Sequence, residues 1–88
     1  MASIHIYGHG FQTRGDGGEI ESTLILSEEE FNEIKDIAVE QGIDLDELEL
    51  DDLPRYILEQ MEKTLDNDWG FVDGESYNTM VNGFSINE

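Results

Sequence analysis

The 88-residue sequence contains no cysteine and one proline, and it has only four Lys and Arg residues against 22 Asp and Glu. Without cysteine the chain forms no disulfide and no thiolate metal site, which fits a reducing compartment. No apolar run approaches the roughly 18 residues that a membrane-spanning helix needs. The first ten residues, MASIHIYGHG, lack the basic and apolar regions of a signal peptide. We therefore expect a soluble, cytoplasmic protein.

Negative charge is the dominant property of the chain, whose formal net charge is -18. A folded protein of this mass has an area of about 5,200 Å², or one net charge for about 290 Å² of surface. Such a surface repels nucleic acids and anionic membranes and attracts basic proteins and cations. We expect no direct contact with nucleic acid or membrane, and the repulsion between copies favours a monomer over a homodimer.

High net charge is also typical of disordered chains. Here, however, 38% of the residues are hydrophobic, and they recur at the spacings of strands and helices. We therefore expect a single acidic folded domain over residues 1–88, the size of one domain.

The first 26 residues predict a hairpin. Residues 3–7 alternate apolar and polar side chains as a strand does. Residues 8–18 contain five glycines and predict a long turn or loop. Residues 19–26 predict a second strand, with Ile20, Leu24 and Leu26 on one side.

Two helices are predicted next. Ser27 and Glu30 have the spacing of a capping box, and Gly42 fits the position that ends a helix, so the first helix covers residues 27–41. We expect a second helix from near residue 52 to near Asp66, with Pro54 in its first turn.

The C-terminal quarter predicts one or two further strands. Asp73-Gly74 and Asn82-Gly83 are both typical of tight turns. The expected order is β-β-α-α-β(-β), an α+β domain in which two helices pack on one face of a small antiparallel sheet.

Residues 44–52, DLDELELDD, consist of six acids and three leucines. The pattern leaves open whether this segment is a helical turn, an extended piece or a loop. An unpaired buried carboxylate is very unfavourable, so we expect the leucines to point inward and the acids outward.

Motifs for catalysis and cofactor binding are weak. The glycine-rich stretch lacks the lysine and the spacing of a phosphate-binding loop. DNDWGFVDGE begins like a calcium-binding loop, but Phe71 replaces the glycine at its sixth position and Tyr77 the glutamate at its twelfth. With 22 acids a carboxylate pair has no diagnostic value, and no Ser/His/Asp arrangement is supported by spacing. We predict no enzymatic activity and no cofactor.

The acidity itself is the remaining feature. Solubility alone needs a net charge of only about 2–8 in magnitude, although a solvated face stays open as an explanation. DNA-binding proteins typically neutralise ~6–10 phosphates with Lys and Arg, and a set of fixed carboxylates offers such a site a similar charge. We predict that the partner-binding residues are the acids of the first helix and of the following segment: Glu29, Glu33, Asp36, Glu40, Asp44, Asp46, Glu47, Glu49, Asp51 and Asp52.

In size, absence of cysteine, α+β pattern and acidity, the chain resembles phage-encoded inhibitor proteins. These include anti-CRISPR proteins, anti-restriction DNA mimics and uracil-DNA glycosylase inhibitors. The resemblance implies a stoichiometric inhibitor that blocks a basic nucleic-acid-binding partner, such as a defence nuclease or a CRISPR complex, in the bacterial cytoplasm. Exposed aromatics such as Phe11, Trp69 or Phe71 are candidates for an apolar anchor in that interface.

Three alternatives remain open. An acidic immunity protein or antitoxin against a nuclease toxin has the same composition. A small regulatory domain that binds Ca²⁺ is the second alternative, and a structural protein whose charge has no binding role is the third.

Overall fold

The computed structural model describes residues 1–11, 17–72 and 74–88. In chain order its elements are β1 Ser3–Phe11, β2 Gly17–Ile25, α1 Glu28–Gln41, two 3₁₀ turns at Leu45–Glu47 and Leu50–Asp52, α2 Arg55–Trp69, β3 Phe71–Val72, β4 Glu75–Ser76 and β5 Asn78–Asn87. Strands and two helices in this order form the α+β domain that the sequence predicts.

The main sheet has three antiparallel strands in the order β2-β1-β5. Ile4 pairs with Leu24 of β2 on one side and with Ile86 of β5 on the other. Because side chains alternate along a strand, Ile4 and Ile6 point into the core, whereas Tyr7 lies on the opposite, uncovered face. The hairpin of the first two strands is therefore confirmed, and β5 joins it as expected.

The core lies between this sheet and the helices. Helix α2 packs across the strands with a stripe four residues apart, formed by Ile57, Met61 and Leu65, all fully buried. Helix α1 contributes Phe31 and Ile34 to the same cluster. Within the described ranges, neither helix is long and apolar enough to cross a membrane.

Helix α1 begins and ends almost where the sequence predicts. The Ser27 side chain accepts a hydrogen bond from the Glu30 N–H at 3.2 Å, and the Glu30 carboxylate accepts one from the Ser27 N–H at 2.9 Å. At the other end Gly42 is left-handed, with φ 71°, and the Ile43 N–H bonds to the Ala38 carbonyl at 3.0 Å. Both predicted caps are confirmed.

The predicted limits of the second helix were wrong by three residues at each end. Pro54 precedes the helix as its N-cap rather than lying in the first turn. Leu53 is extended, with ψ 148°, because the ring of a following proline disfavours the helical conformation. The helix then continues to Trp69.

The predicted loop over 8–18 was too long, because β1 continues to Phe11. Gly8 lies in the strand, where a Cβ would collide with the Met80 carbonyl oxygen of β5 and would come within 2.6 Å of Leu65 Cδ2. This glycine therefore permits close packing of helix on sheet, and it is not a loop residue. Residues 12–16 of the predicted loop lie outside the described residues.

The predicted turn at Asn82-Gly83 was also wrong, since both residues lie inside β5. Tyr7 pairs with Gly83 and Gly8 with Val81, so Asn82 is an extra residue that forms a bulge. A short hairpin of β3 and β4 does form near the other predicted turn. Gly74 there has φ 81°, and Asp73 lies outside the described residues.

Candidate functional site

The candidate acids of α1 lie on one face of the helix. Glu29, Glu33, Asp36 and Glu40 are separated by four, three and four residues, and such spacings align side chains along a helix. All four are exposed, whereas the buried residues Phe31, Ile34 and Ala38 occupy the opposite face. Helix α1 therefore presents a row of carboxylates to solvent.

The segment 44–52 continues this charge beyond the end of α1. It is folded into two 3₁₀ turns, Leu45–Glu47 and Leu50–Asp52. Leu48 is buried, and Leu45 and Leu50 are partly buried against the core. The carboxylates that point outward from these turns are Asp44, Asp46, Glu47, Glu49 and Asp51. The leucines thus attach the segment to the domain, as the sequence predicts, and the acids face solvent.

Asp52 closes the segment with two hydrogen bonds. Its carboxylate accepts the backbone N–H of Glu49 at 2.9 Å and the side-chain amide of Gln41 at 3.1 Å. Both bonds lower the pKa of Asp52 because they favour its charged form, and the bond from the Glu49 backbone has the larger effect. Asp52 is therefore ionised and ties the segment to the C-terminal end of α1.

A second cross-link joins the two helices. The Tyr56 hydroxyl of α2 donates a hydrogen bond to the Glu33 carboxylate of α1. This bond is the main reason why the pKa of Tyr56 is raised to about 12. Partial burial and the negative charges of Glu33 and Glu30 raise the pKa further in the same direction. The phenol stays protonated at neutral pH and holds one candidate carboxylate in position.

We call the ten candidate carboxylates of α1 and residues 44–52 the acidic surface. Two of them, Glu33 and Asp52, are held by contacts between elements. In the described part of the chain, seven others have side chains with no hydrogen-bond or ionic partner: Glu29, Asp36, Glu40, Asp44, Asp46, Glu47 and Asp51. These carboxylates are free to bind a cationic partner.

Basic residues neutralise little of this charge. The stretch from residue 28 to residue 68 contains 16 acids and three bases, Lys35, Arg55 and Lys63. Of these three bases, Arg55 alone lies within ion-pair distance of a carboxylate of the described residues, 3.5 Å from Glu59. Lys35 lies 4.7 Å from the centre of the Phe31 ring.

The charge is unevenly distributed over the fold. Neither β1 nor β5 contains an acidic residue, and the uncovered face of the sheet carries both histidines, His5 and His9. Most of the net charge therefore lies on the helical side of the molecule.

The candidate aromatic anchors differ in how far their side chains are available to a partner. Phe71 is 67% exposed. The Trp69 indole N–H instead donates to the Glu21 carbonyl at 2.8 Å, which fixes that ring against β2. The side chain of Phe11 lies outside the described residues. Phe71 is thus the better candidate for an apolar contact with a partner.

A calcium site is the alternative role of the acids. Within residues 1–11, 17–72 and 74–88, no three His, Asp or Glu side chains are arranged to hold a metal ion. Asp73, part of the stretch that begins like a calcium-binding loop, lies outside these ranges.

Two residues that organise the acidic surface were missed in the sequence. Gln41 adjoins the helix-ending glycine, and nothing in the sequence pairs it with Asp52 eleven positions later. Tyr56 adjoins the buried stripe of α2, but it is 41% exposed and its hydroxyl bonds to Glu33. Glu49 and Asp52 have the three-residue spacing of a capping box, but other pairs of acids in residues 44–52 share that spacing, so it did not single out this pair.

Comparison of the chain with protein-family models, with curated proteins and with solved structures gave no match.

Proposed function

We propose that this protein is a non-enzymatic inhibitor that uses the acidic surface as a mimic of a nucleic-acid backbone. The observation that carries the proposal is the way residues 44–52 are built. Leucines hold two short turns against the core, while five carboxylates project from them into solvent. A solubilising surface does not need its acids to be fixed in this manner.

The physical advantage of this construction is preorganisation. A segment that is already ordered loses less conformational entropy when a partner binds. Opposite charge also accelerates the encounter between the two proteins. Ten carboxylates match in number the ~6–10 phosphates that a DNA-binding site typically neutralises.

The partner is a basic nucleic-acid-binding protein, and the proposal places both proteins in the cytoplasm of a bacterial cell. A phage-encoded inhibitor of a CRISPR complex or of another defence nuclease fits this chemistry. An immunity protein that protects a cell from a basic nuclease toxin would use the same surface. The protein acts as a monomer, since two copies repel each other through their acidic sides.

The experiment is affinity capture from bacterial lysate with the tagged protein, followed by elution in a salt gradient. We expect one basic nucleic-acid enzyme to be retained and to be released by competing DNA or RNA. A variant in which Asp44, Asp46, Glu47 and Glu49 are replaced by Asn or Gln is expected to retain nothing. Retention that is insensitive to salt and to nucleic acid would contradict the proposal.

A further inference from the structure

A groove runs beside β5 on the helical side of the sheet. Its larger part, of about 660 Å³, lies between residues 79–81 of β5, the side chains of Leu50 and Asp51, and one side of α2. A smaller part, of about 420 Å³, continues along residues 82–84 and is also lined by Leu50 and Asp51. We call the two parts together the edge groove.

The strand that borders the edge groove has an open edge. Among the described strands β5 pairs with β1 alone, and no main-chain hydrogen bond from another described segment reaches its outer side. Every second residue of such a strand directs its N–H and C=O outward, and these groups bind another extended chain readily. The extra residue Asn82 interrupts the regular edge, so the regular part beside the larger groove is residues 78–81.

The opposite edge of the sheet is different. There the Glu21 carbonyl of β2 accepts the Trp69 indole N–H at 2.8 Å. The nearby Ser22 hydroxyl, which is buried, donates to the Asp68 carboxylate at 2.7 Å. The end of α2 therefore covers part of the β2 edge. At the β5 edge the Thr79 hydroxyl donates a hydrogen bond to the Asp66 carboxylate of α2 at 3.4 Å, but among the described residues no main-chain group of residues 78–81 is bonded on the outer side.

The walls of the edge groove determine which chain would fit. The apolar lining of its larger part comes from Leu50, Leu58, Met80 and Val81. The charged lining there consists of the acids Asp51, Glu62 and Asp66 with a single base, Lys63, and the smaller part adds the acid Glu49. β5 itself contributes no charge. An occupant with basic and apolar side chains matches this lining, whereas an acidic one is repelled.

We propose that the edge groove binds an extended basic segment of the partner protein, which adds to the sheet as a fourth strand beside residues 78–81. This inference rests on the proposed function, because it specifies how part of the same basic partner is held. Main-chain bonds to β5 would supply affinity, and alternate side chains would enter the groove and meet Glu62 and Asp66. Pairing with an edge strand requires the bound segment to be extended, whereas charge attraction alone does not select the conformation of the segment.

The test uses a blocked six-residue peptide in which lysine and valine alternate, titrated into the full-length ¹⁵N-labelled protein. The control is the same peptide methylated on every backbone nitrogen, which keeps its charge but removes its main-chain donors. We expect the methylated peptide to bind at least about tenfold more weakly. We also expect the unmodified peptide to slow amide exchange within residues 78–81 at least about tenfold.

Two variants of α2 provide a matched pair. Glu62→Lys reverses a charge that lines the groove, whereas Glu59→Lys makes the same change on the same helix outside it. We expect the first to weaken peptide binding about tenfold and the second by less than about threefold. Both residues are exposed, so neither change disturbs the core.

Equal binding of the two peptides overturns the proposal, as does a lack of saturable binding at millimolar peptide. Protection that appears on α1 and residues 44–52 instead of on β5 also overturns it. None of these results removes the proposed function, which fails separately if neutralising Asp44, Asp46, Glu47 and Glu49 leaves capture of the intact partner unchanged.

Discussion

The side-chain amide of Gln41 donates a hydrogen bond to the Asp52 carboxylate at 3.1 Å, and this contact joins the last residue of α1 to the last residue of the acidic segment. The Glu49 N–H bonds to the same carboxylate at 2.9 Å. Hydrogen bonds therefore hold the C-terminal end of residues 44–52, and the buried side chain of Leu48 holds the middle of the segment. The order of the acidic surface depends on these contacts.

Replacement of Gln41 by Ala should raise the pKa of Asp52 toward its ordinary value, because one of the two donors that favour the carboxylate is lost. A carboxyl group whose pKa is lower in the folded than in the unfolded protein stabilises the fold. This stabilisation is complete above the unfolded-state pKa and is lost as the pH falls through the folded-state pKa. The difference in stability between the wild type and Gln41→Ala should therefore be largest above about pH 4 and vanish in stronger acid. Carboxyl ¹³C titration by NMR measures the shift, and identical titration of Asp52 in both proteins would refute it.

Replacement of Tyr56 by Phe removes the hydrogen bond between the helices and should lower the free energy of unfolding by about 0.5–1.5 kcal/mol. The pKa of Tyr56 is raised to about 12, so its stabilising effect is complete below the unfolded-state value of about 10. The effect is lost as pH rises through about 12. Urea denaturation at pH 7 and pH 9 should thus show the same difference between the two proteins. No difference at either pH would show that the Tyr56–Glu33 bond does not stabilise the fold.

Replacement of Gly8 by Ala should destabilise the domain by about 1–3 kcal/mol, because the added methyl group would collide with the Met80 carbonyl oxygen of β5 and with the Leu65 side chain of α2. Its Cβ would lie 2.6 Å from Leu65 Cδ2. Gly18→Ala is the matched control, since a Cβ at Gly18 meets no atom within 4 Å. Thermal unfolding of both variants measures the contrast, and equal melting temperatures would mean that β5 and α2 do not approach Gly8 as closely as the structure shows.

Neutralising Asp44, Asp46, Glu47 and Glu49 should stabilise the fold, because it relieves repulsion in a chain of net charge -18. We expect a gain on the order of 1 kcal/mol at low salt, and a smaller gain in 1 M salt, where charges are screened within about 3 Å. Denaturation at the two salt concentrations measures both values. A loss of stability would show that these carboxylates make structural contacts.

Much of the fold follows from local patterns in the sequence. The Ser27–Glu30 capping box and Gly42 determine the limits of α1 through bonds within a few residues, so the sequence contains all that is needed to place them. The alternation in the first 26 residues likewise predicts the β1–β2 hairpin.

The errors arise where a distant part of the chain decides the structure. Gly8 lies in β1 because it pairs with Val81 of β5, and the atoms that leave no room for a side chain there belong to Leu65 and Met80, 57 and 72 positions later. Asn82-Gly83 forms a bulge rather than a turn because Phe84 and Ile86 pair with β1 beyond it. The hydrogen bond from Gln41 to Asp52 and the groove beside β5 depend in the same way on tertiary packing, which local patterns do not specify.

The most direct test of the acidic surface compares two variants that lose the same charge. In one, Asp44, Asp46, Glu47 and Glu49 become Asn or Gln; in the other, Glu19, Glu28, Glu59 and Glu88, exposed acids outside the acidic surface, become Gln. The measurement is displacement of fluorescent DNA from the captured partner, followed by anisotropy. We predict that the concentration needed to displace the DNA rises at least about a hundredfold for the first variant and less than about fivefold for the second. Equal losses would mean that total charge alone, and no defined surface, accounts for binding.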